Sequence, residues 1–130
     1  MPSLFSRIIS GDLACHKLLE TDTCIAFLDI QPIRPGHTLL VPKYEIDYLF
    51  DLPDSHLAGL LPVAKRLSKA IQAVVPCNRI GLMVAGLEVP HAHIHLIPIR
   101  QSRDLNFEHA TPASPSDLSA LASRICDALN

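Results

Sequence analysis

The stretch HAHIHLIPI, residues 91–99, places a histidine at every second position at the start of an otherwise apolar run. Successive side chains of a β-strand point to opposite faces of the sheet. The alternation therefore predicts a strand with one histidine face, which carries His91, His93 and His95, while the apolar residues between them face the core. Three aligned imidazoles on an apolar strand indicate chemistry rather than packing.

Three interpretations of this histidine face stand side by side. The first is an accident of surface composition, which the strict alternation disfavours. The second is a metal site, because His-x-His on a strand suits zinc and His95 or His37 could supply a third ligand; no carboxylate is obviously placed to support such ligands. The third is acid–base or nucleophilic chemistry, in which one imidazole attacks while its neighbours orient it and bind an anion.

The rest of the sequence predicts an α+β fold in a single domain, residues 1–130. We expect an antiparallel sheet of about five strands with one long helix and a C-terminal helix. The predicted strands lie at residues 15–20, 23–29, 37–42, 79–85 and 91–97. The predicted helices lie at residues 4–9, 52–75 and 114–129, and Pro62 should kink or split the second of them.

Composition excludes several classes of protein. The 130 residues are 48% hydrophobic and 18% charged with a net charge of −2, which is typical of a globular chain without a nucleic-acid-binding stripe. We find no secretion signal and no apolar run of roughly 18 residues, so we expect no membrane partner. The four cysteines form no CxxC pair, so we expect reduced thiols and a cytoplasmic location.

These motifs together resemble the histidine triad (HIT) family, whose signature is His-φ-His-φ-His-φ-φ with φ apolar. Residues 91–97, HAHIHLI, match it without a gap. Residues 24–43, CIAFLDIQPIRPGHTLLVPK, resemble the family's AF-x-D-I-x-P segment followed by PGH and a strand that ends in PK. Residues 4–13, LFSRIISGDL, resemble its opening segment. The similarity covers nearly the whole chain and is to the Hint-like and bacterial HIT hydrolase branch.

The resemblance implies the HIT fold, a homodimer with one continuous sheet, and a metal-independent nucleotide hydrolase without a cofactor. Such an enzyme acts at the α-phosphate of a purine nucleoside phosphoramidate or dinucleotide polyphosphate through a covalent nucleotidyl-histidine. By this resemblance His93 is the nucleophile, His95 contacts the phosphate and leaving group, and His91 and His37 support them. The alternatives are a nucleotide-binding or scaffold protein with little turnover and a metalloprotein that uses the triad as ligands.

The resemblance also implies a nucleotide-binding set. Its members are Phe5, Ile8, Phe27, Leu28 and Ile30 around the nucleoside, Asp29 on the ribose hydroxyls, and the backbone of Gly86, Leu87 and Val89 near the phosphate. Without the resemblance, the apolar members would be interpreted as core and Asp29 as a turn residue.

Two segments depart from the family pattern. Family members carry an Asn-x-Gly and then a Gly-Gln-type stretch before the triad, whereas Val84, Ala85 and Leu87 stand there in VAGLEVPH. Fewer side chains can therefore hold phosphate oxygens. Some bacterial members bind a structural zinc with two N-terminal cysteines and a histidine after the PK; residues 3, 6 and 45 are serine, serine and glutamate here, so we expect no structural zinc.

Overall fold

The computed structural model describes residues 3–87 and 89–130 and contains one five-stranded antiparallel sheet with helices on both faces. The strands are β1 (Lys17–Glu20), β2 (Cys24–Leu28), β3 (Thr38–Pro42), β4 (Arg79–Met83) and β5 (Ile94–Ile99). The helices are α1 (Leu4–Ile9), α2 (Asp54–Ala58), α3 (Leu60–Val74) and α4 (Pro115–Leu129). Neighbouring strands follow the order β1-β2-β3-β5-β4. The predicted α+β class and five-stranded sheet are confirmed.

The two faces of the sheet pack against different helices. Helices α3 and α4 cover one face and enclose the larger core, which takes alternate residues of β2 such as Ala26 and Leu28. Helix α1 lies on the other face, where Phe5 packs with Ile25 and Phe27. Because β2 is buried on both sides, all five of its residues are apolar, and the period-two alternation decides which core each one enters.

The long helix predicted for residues 52–75 is two helices, which meet at Gly59. Pro62 lies in the first turn of α3, where a backbone N–H has no partner within the helix and a proline is tolerated. The chain therefore splits before the proline rather than kinking at it. In the described residues no helix combines the length and the apolar content that crossing a bilayer requires.

The histidine strand begins later than the sequence pattern indicates. Strand β5 starts at Ile94, and the Ala92 N–H donates to the Ile46 carbonyl at 2.7 Å instead of to the sheet. The alternation nevertheless persists, because Ala92 and Ile94 both enter the larger core. His91 and His93 therefore precede the strand but keep the orientation that it sets, on the α1 face of the sheet.

The turn before β3 requires glycine. Gly36 has φ +95°, and a Cβ there would lie 3.0 Å from Val75 Cγ2 and 3.1 Å from Pro98 Cγ. Such contacts are closer than packed side chains tolerate without movement. The absence of a side chain lets the chain turn tightly against the end of α3, which brings His37 to the edge of the histidine cluster.

Candidate active site

Four histidines converge on the α1 face of the sheet. His95 lies in β5 opposite Leu39, His37 comes just before β3, and His91 and His93 lead into β5. All four side chains are buried, with exposed fractions of 5% or less. Isolated charged imidazoles are costly at such depth, so the hydrogen bonds of each ring decide what it can do.

A cavity of about 690 Å³ lies between the histidines, α1 and β2. Several of the predicted site residues line it: Phe5, Ile8, Phe27, Asp29, Ile30, Val89, His93 and His95. The lining also includes residues that the sequence analysis did not select, namely Leu4, Leu13, Ala14, Cys15, His16, Gln31, Leu39, Phe107 and Ala110. Leu39 could have been found from the alternation of side chains that starts at His37, whereas Phe107 carries no local signal because it lies in a short 3₁₀ turn without such alternation.

Three predicted nucleotide-binding residues do not line this cavity. Leu28 lies in the larger core, because consecutive strand residues alternate and its neighbour Phe27 already faces the cavity. Gly86 adopts φ +73° away from the lining, and the Leu87 side chain is 89% exposed. The expected backbone contacts of residues 86–89 include residue 88, which lies outside the described residues.

One chain of hydrogen bonds fixes the tautomers of His37 and His95. The Ile33 N–H donates to His37 Nδ1 at 3.0 Å, so that nitrogen carries no proton. The proton of neutral His37 is therefore on Nε2, which lies 2.9 Å from His95 Nδ1 and donates to it. His95 in turn carries its proton on Nε2. Among the described residues this buried Nε2–H has no partner, so it is available to an acceptor in the cavity.

Burial keeps both of these rings uncharged. It lowers the pKa of His37 to about 4, and burial together with the neighbouring His37 and His93 lowers the pKa of His95 to about 3. Both rings are therefore neutral at pH 7 in the free site.

His93 has the opposite tautomer. Its Nδ1 lies 2.7 Å from the His91 carbonyl oxygen, which can only accept, so Nδ1 carries the proton. The Nε2 of the neutral ring is then unprotonated, and the ring lines the cavity. His91 Nε2 likewise donates to the Pro42 carbonyl at 2.8 Å. No hydrogen bond from another described residue reaches His93 Nε2, so its lone pair is free and lies beside the N–H of His95.

Asp29 supplies the carboxylate of the cavity. Its Oδ1 accepts from the Gln31 N–H at 2.9 Å, and its Oδ2 lies 3.6 Å from His37 Nε2. Burial raises the pKa of this carboxyl above its ordinary value, while the Gln31 hydrogen bond and His93 oppose that rise. At 3.6 Å the Oδ2 atom makes no hydrogen bond to His37, so it can accept hydrogen bonds from hydroxyl groups in the cavity.

The only cluster of potential metal ligands among the described residues is Asp29, His37 and His95, whose ligand atoms lie within 4.8 Å of one another. A metal there would need the lone pair of His37 Nε2, which requires a proton on Nδ1. The Ile33 N–H already points at Nδ1, so two donors would face each other. The donor set therefore fits a hydrogen-bonded pair of imidazoles better than a metal ion.

Edge-to-face contacts between neighbouring rings hold His93 and His95, the two candidate catalytic residues, in place. Phe5 meets His93 edge-to-face with centroids 4.9 Å apart, His93 meets His95 at 4.9 Å, and His95 meets Phe107 at 4.9 Å. Edge-to-face packing restricts ring rotation. These contacts therefore present both imidazoles to the cavity in one fixed orientation.

Comparison with known proteins agrees with this arrangement. A family model for the HIT domain matches residues 10–102. The chain is 42% identical to adenosine 5'-monophosphoramidase HNT1 of Saccharomyces cerevisiae over 104 residues, which are 77% of this chain and 64% of that protein. It is 35% identical to adenosine 5'-monophosphoramidase hnt1 of Schizosaccharomyces pombe, with 96% of each chain covered. A Hit-like protein of Bartonella henselae superimposes with a TM-score of 0.86 at 27% identity, covering 97% of this chain and 95% of that one.

Proposed function

The chain belongs to the histidine triad (HIT) family of nucleotide hydrolases, and we propose that it cleaves a purine nucleoside phosphoramidate through a covalent nucleotidyl-His93 intermediate. The monophosphoramidases of S. cerevisiae and S. pombe support this substrate class. The enzyme needs no metal ion in this proposal, because a neutral imidazole is itself a good nucleophile near pH 7.

The observation that carries the proposal is the tautomer of His93. Its Nδ1–H is held by the His91 carbonyl, so the Nε2 lone pair is free to attack phosphorus. The adjacent His95 Nε2–H can donate to a phosphoryl oxygen, where negative charge builds up during attack. One ring is thus an electron-pair donor and the next a hydrogen-bond donor, as displacement at phosphorus requires.

An amine leaves phosphorus only when its nitrogen carries an additional proton, because an amide anion is a very poor leaving group. Since His37 and His95 are neutral at pH 7, in this proposal the nitrogen takes that proton from solvent. In the first step a bond forms between Nε2 of His93 and phosphorus while the P–N bond breaks, and a neutral amine leaves. Water then attacks phosphorus, the bond to Nε2 breaks, one proton of the water passes to solvent, and a nucleoside monophosphate is released. Because the two yeast relatives are named monophosphoramidases, we expect a dinucleotide polyphosphate to be a slower substrate.

The nucleoside occupies the apolar part of the cavity in this proposal. Phe5, Ile8, Phe27 and Ile30 enclose the base and sugar, and Asp29 accepts hydrogen bonds from the ribose hydroxyls. In this proposal the backbone N–H of Val89, which also lines the cavity, supplements His95 at the phosphate.

A nucleotide-binding protein with little turnover is the second candidate. It is favoured by the segment before the triad, where the exposed apolar side chains of Val84 and Leu87 offer no hydrogen bond to phosphate. Turnover separates the two candidates, because both of them predict that AMP binds.

The first measurement is AMP release from adenosine 5'-phosphoramidate by the wild-type protein in EDTA. We expect steady hydrolysis, with several turnovers per site and a slower reaction on diadenosine tetraphosphate. Tight AMP binding with no release from either compound would contradict the enzymatic proposal and support the binding protein. Activity that is lost in EDTA and restored by zinc would instead contradict the metal-free mechanism.

We also propose a homodimer that extends the sheet through β4. Within the part of the chain that the structure describes, this strand pairs only with β5, so its other edge is open, and Leu82 and Val84 are exposed beside it. Open apolar edges favour pairing with another strand. A second copy would form one continuous ten-stranded sheet.

Light scattering after gel filtration tests this dimer. We expect twice the mass of the 14.2 kDa chain for the wild-type protein, and a monomer for Leu82→Glu because the new charge would be buried in the interface. A monomeric wild type at all concentrations, or an unchanged dimer in Leu82→Glu, would contradict pairing through this edge.

The four free cysteines favour a reducing compartment, and we propose the cytoplasm. Cell fractionation with an antibody against the protein tests this placement.

A further inference from the structure

We propose that Ser3 is a positioning residue for the nucleophile: its hydroxyl fixes the ring of His91, and the carbonyl of His91 fixes the tautomer of His93. The inference rests on the proposed function for its kinetic consequence, but its structural part can be observed without any substrate.

Ser3 is placed to donate one hydrogen bond into the cluster. The residue is 7% exposed, and its Oγ lies 3.0 Å from Nδ1 of the fully buried His91. As the N-cap of α1, the same Oγ accepts the Ser6 N–H at 3.0 Å. Two acceptors lie within reach of its hydrogen, His91 Nδ1 at 3.0 Å and Ser6 Oγ at 3.1 Å, and we assign it to the imidazole nitrogen, which is the closer and the more basic of the two.

The neighbouring Ser6 cannot take over this role. Its Oγ lies 3.3 Å from His91 Nδ1, but its hydrogen is donated to Glu45 Oε1 at 2.6 Å. That hydrogen bond lowers the pKa of the Glu45 carboxyl, which therefore remains an ionised acceptor at neutral pH. Glu45 thus holds the Ser6 hydroxyl away from His91, and Ser3 is left as the donor.

Both nitrogens of His91 are then committed. Nδ1 accepts from Ser3, and Nε2 donates to the Pro42 carbonyl at 2.8 Å. A ring held at both ends cannot rotate or exchange tautomers without leaving a buried polar atom unpaired. The backbone of the same residue provides the carbonyl that accepts the His93 Nδ1–H at 2.7 Å, so the fixed ring also fixes the group that orients the nucleophile.

Helix α1 gains a second link to the reaction centre through this cap. Phe5, two residues after Ser3, packs edge-to-face on His93 with centroids 4.9 Å apart and also lines the cavity. The Ser3–His91 bond joins residues 88 apart in sequence and holds the start of α1 against the triad. Loss of this hydrogen bond would free the His91 ring and, at the same time, loosen the packing of Phe5 on His93.

The test compares Ser3→Ala with the hydroxyl-retaining Ser3→Thr and with Ser10→Ala as the matched control. Ser10 lies at the other end of α1, and its hydroxyl donates to the Arg7 carbonyl, remote from the triad. We expect Ser3→Ala to lower kcat for adenosine 5'-phosphoramidate about tenfold, the effect of one buried hydrogen bond, with KM changed less than about twofold. Ser3→Thr should recover most of kcat, and Ser10→Ala should match the wild type.

Nitrogen-15 NMR of the imidazole rings provides the readout that a purely structural role would not change. In the wild type at pH 7, His91 should show a single tautomer with the proton on Nε2, and His93 one with the proton on Nδ1. In Ser3→Ala the His91 signals should move toward a mixture of the two tautomers. A doubly protonated or Nδ1–H form of His91 in the wild type, or unchanged signals and kcat in Ser3→Ala, would overturn the inference.

The two proposals fail in different ways. Suppose that the wild type hydrolyses nothing but shows these tautomers, and that the His91 signals change in Ser3→Ala. The proposed function then fails, whereas the positioning role of Ser3 stands. If Ser3→Ala does not fold, an Nδ1–H form of His91 in the wild type would still overturn the inference, because that measurement requires no variant.

Discussion

His93→Ala is expected to lower kcat for adenosine 5'-phosphoramidate by at least about 10⁴-fold, because the variant lacks the nitrogen on which the proposed nucleotidyl intermediate forms. KM should change much less, since the cavity that holds the nucleoside is formed mainly by other residues. The measurement is AMP release under steady-state conditions. It is paired with acid quenching and mass spectrometry, in which the wild type alone should gain one nucleotidyl group, on the peptide that contains residue 93.

The matched control is His109→Ala, which removes an exposed histidine from a 3₁₀ turn and should leave both kinetic constants unchanged. His93 is 3% exposed, so circular dichroism must show that the alanine variant folds. Activity that survives in a folded His93→Ala protein, or an adduct located on His95, would place the nucleophile elsewhere in the cluster.

The free energy of unfolding is expected to fall steeply between pH 7 and pH 5. A histidine in the unfolded chain titrates near 6.5, whereas burial lowers the pKa of His37 to about 4 and that of His95 to about 3. Over this window the unfolded chain binds protons that the folded chain does not, so acid favours unfolding. Each ring should cost about 2 kcal/mol at pH 5, which is a large share of the stability of an ordinary domain.

Urea unfolding at a series of pH values measures this dependence. The pKa of Glu20 is lowered by Lys43, and the pKa of Asp104 is lowered by the hydrogen bond from the Arg100 N–H. These carboxyls lose their stabilising effect only below pH 5. The measurement therefore ends at pH 5, before these carboxyls begin to change the stability. His37→Gln should reduce the change in the free energy of unfolding between pH 7 and pH 5 by roughly half, while His109→Ala should leave that change as it is in the wild type. A free energy of unfolding that stays constant from pH 7 to pH 5 would show that the rings are not neutral in the folded protein.

The errors of the sequence analysis have two origins, one local and one long-range. The nucleotide-binding set included four consecutive residues, 27–30, although a strand can direct only alternate side chains to one face, and Leu28 indeed enters the opposite core. The predicted histidine strand starts at residue 91, whereas β5 starts at Ile94. The difference arises because the Ala92 N–H donates to the carbonyl of Ile46, which lies far away in sequence. Period and turn signals are local, whereas strand ends depend on which distant segment supplies the partner.

The sequence by itself determined the α+β class, the face on which the histidines lie and the membership of the family, because alternation and short motifs depend only on neighbouring residues. Tertiary structure alone decided the tautomer of each ring, the depressed pKa values of His37 and His95, the wall formed by Phe107 and the contact of Ser3 with His91. These properties depend on burial and on partners that are as much as 88 residues apart, and such distances exist only once the sheet has formed and the two cores have packed.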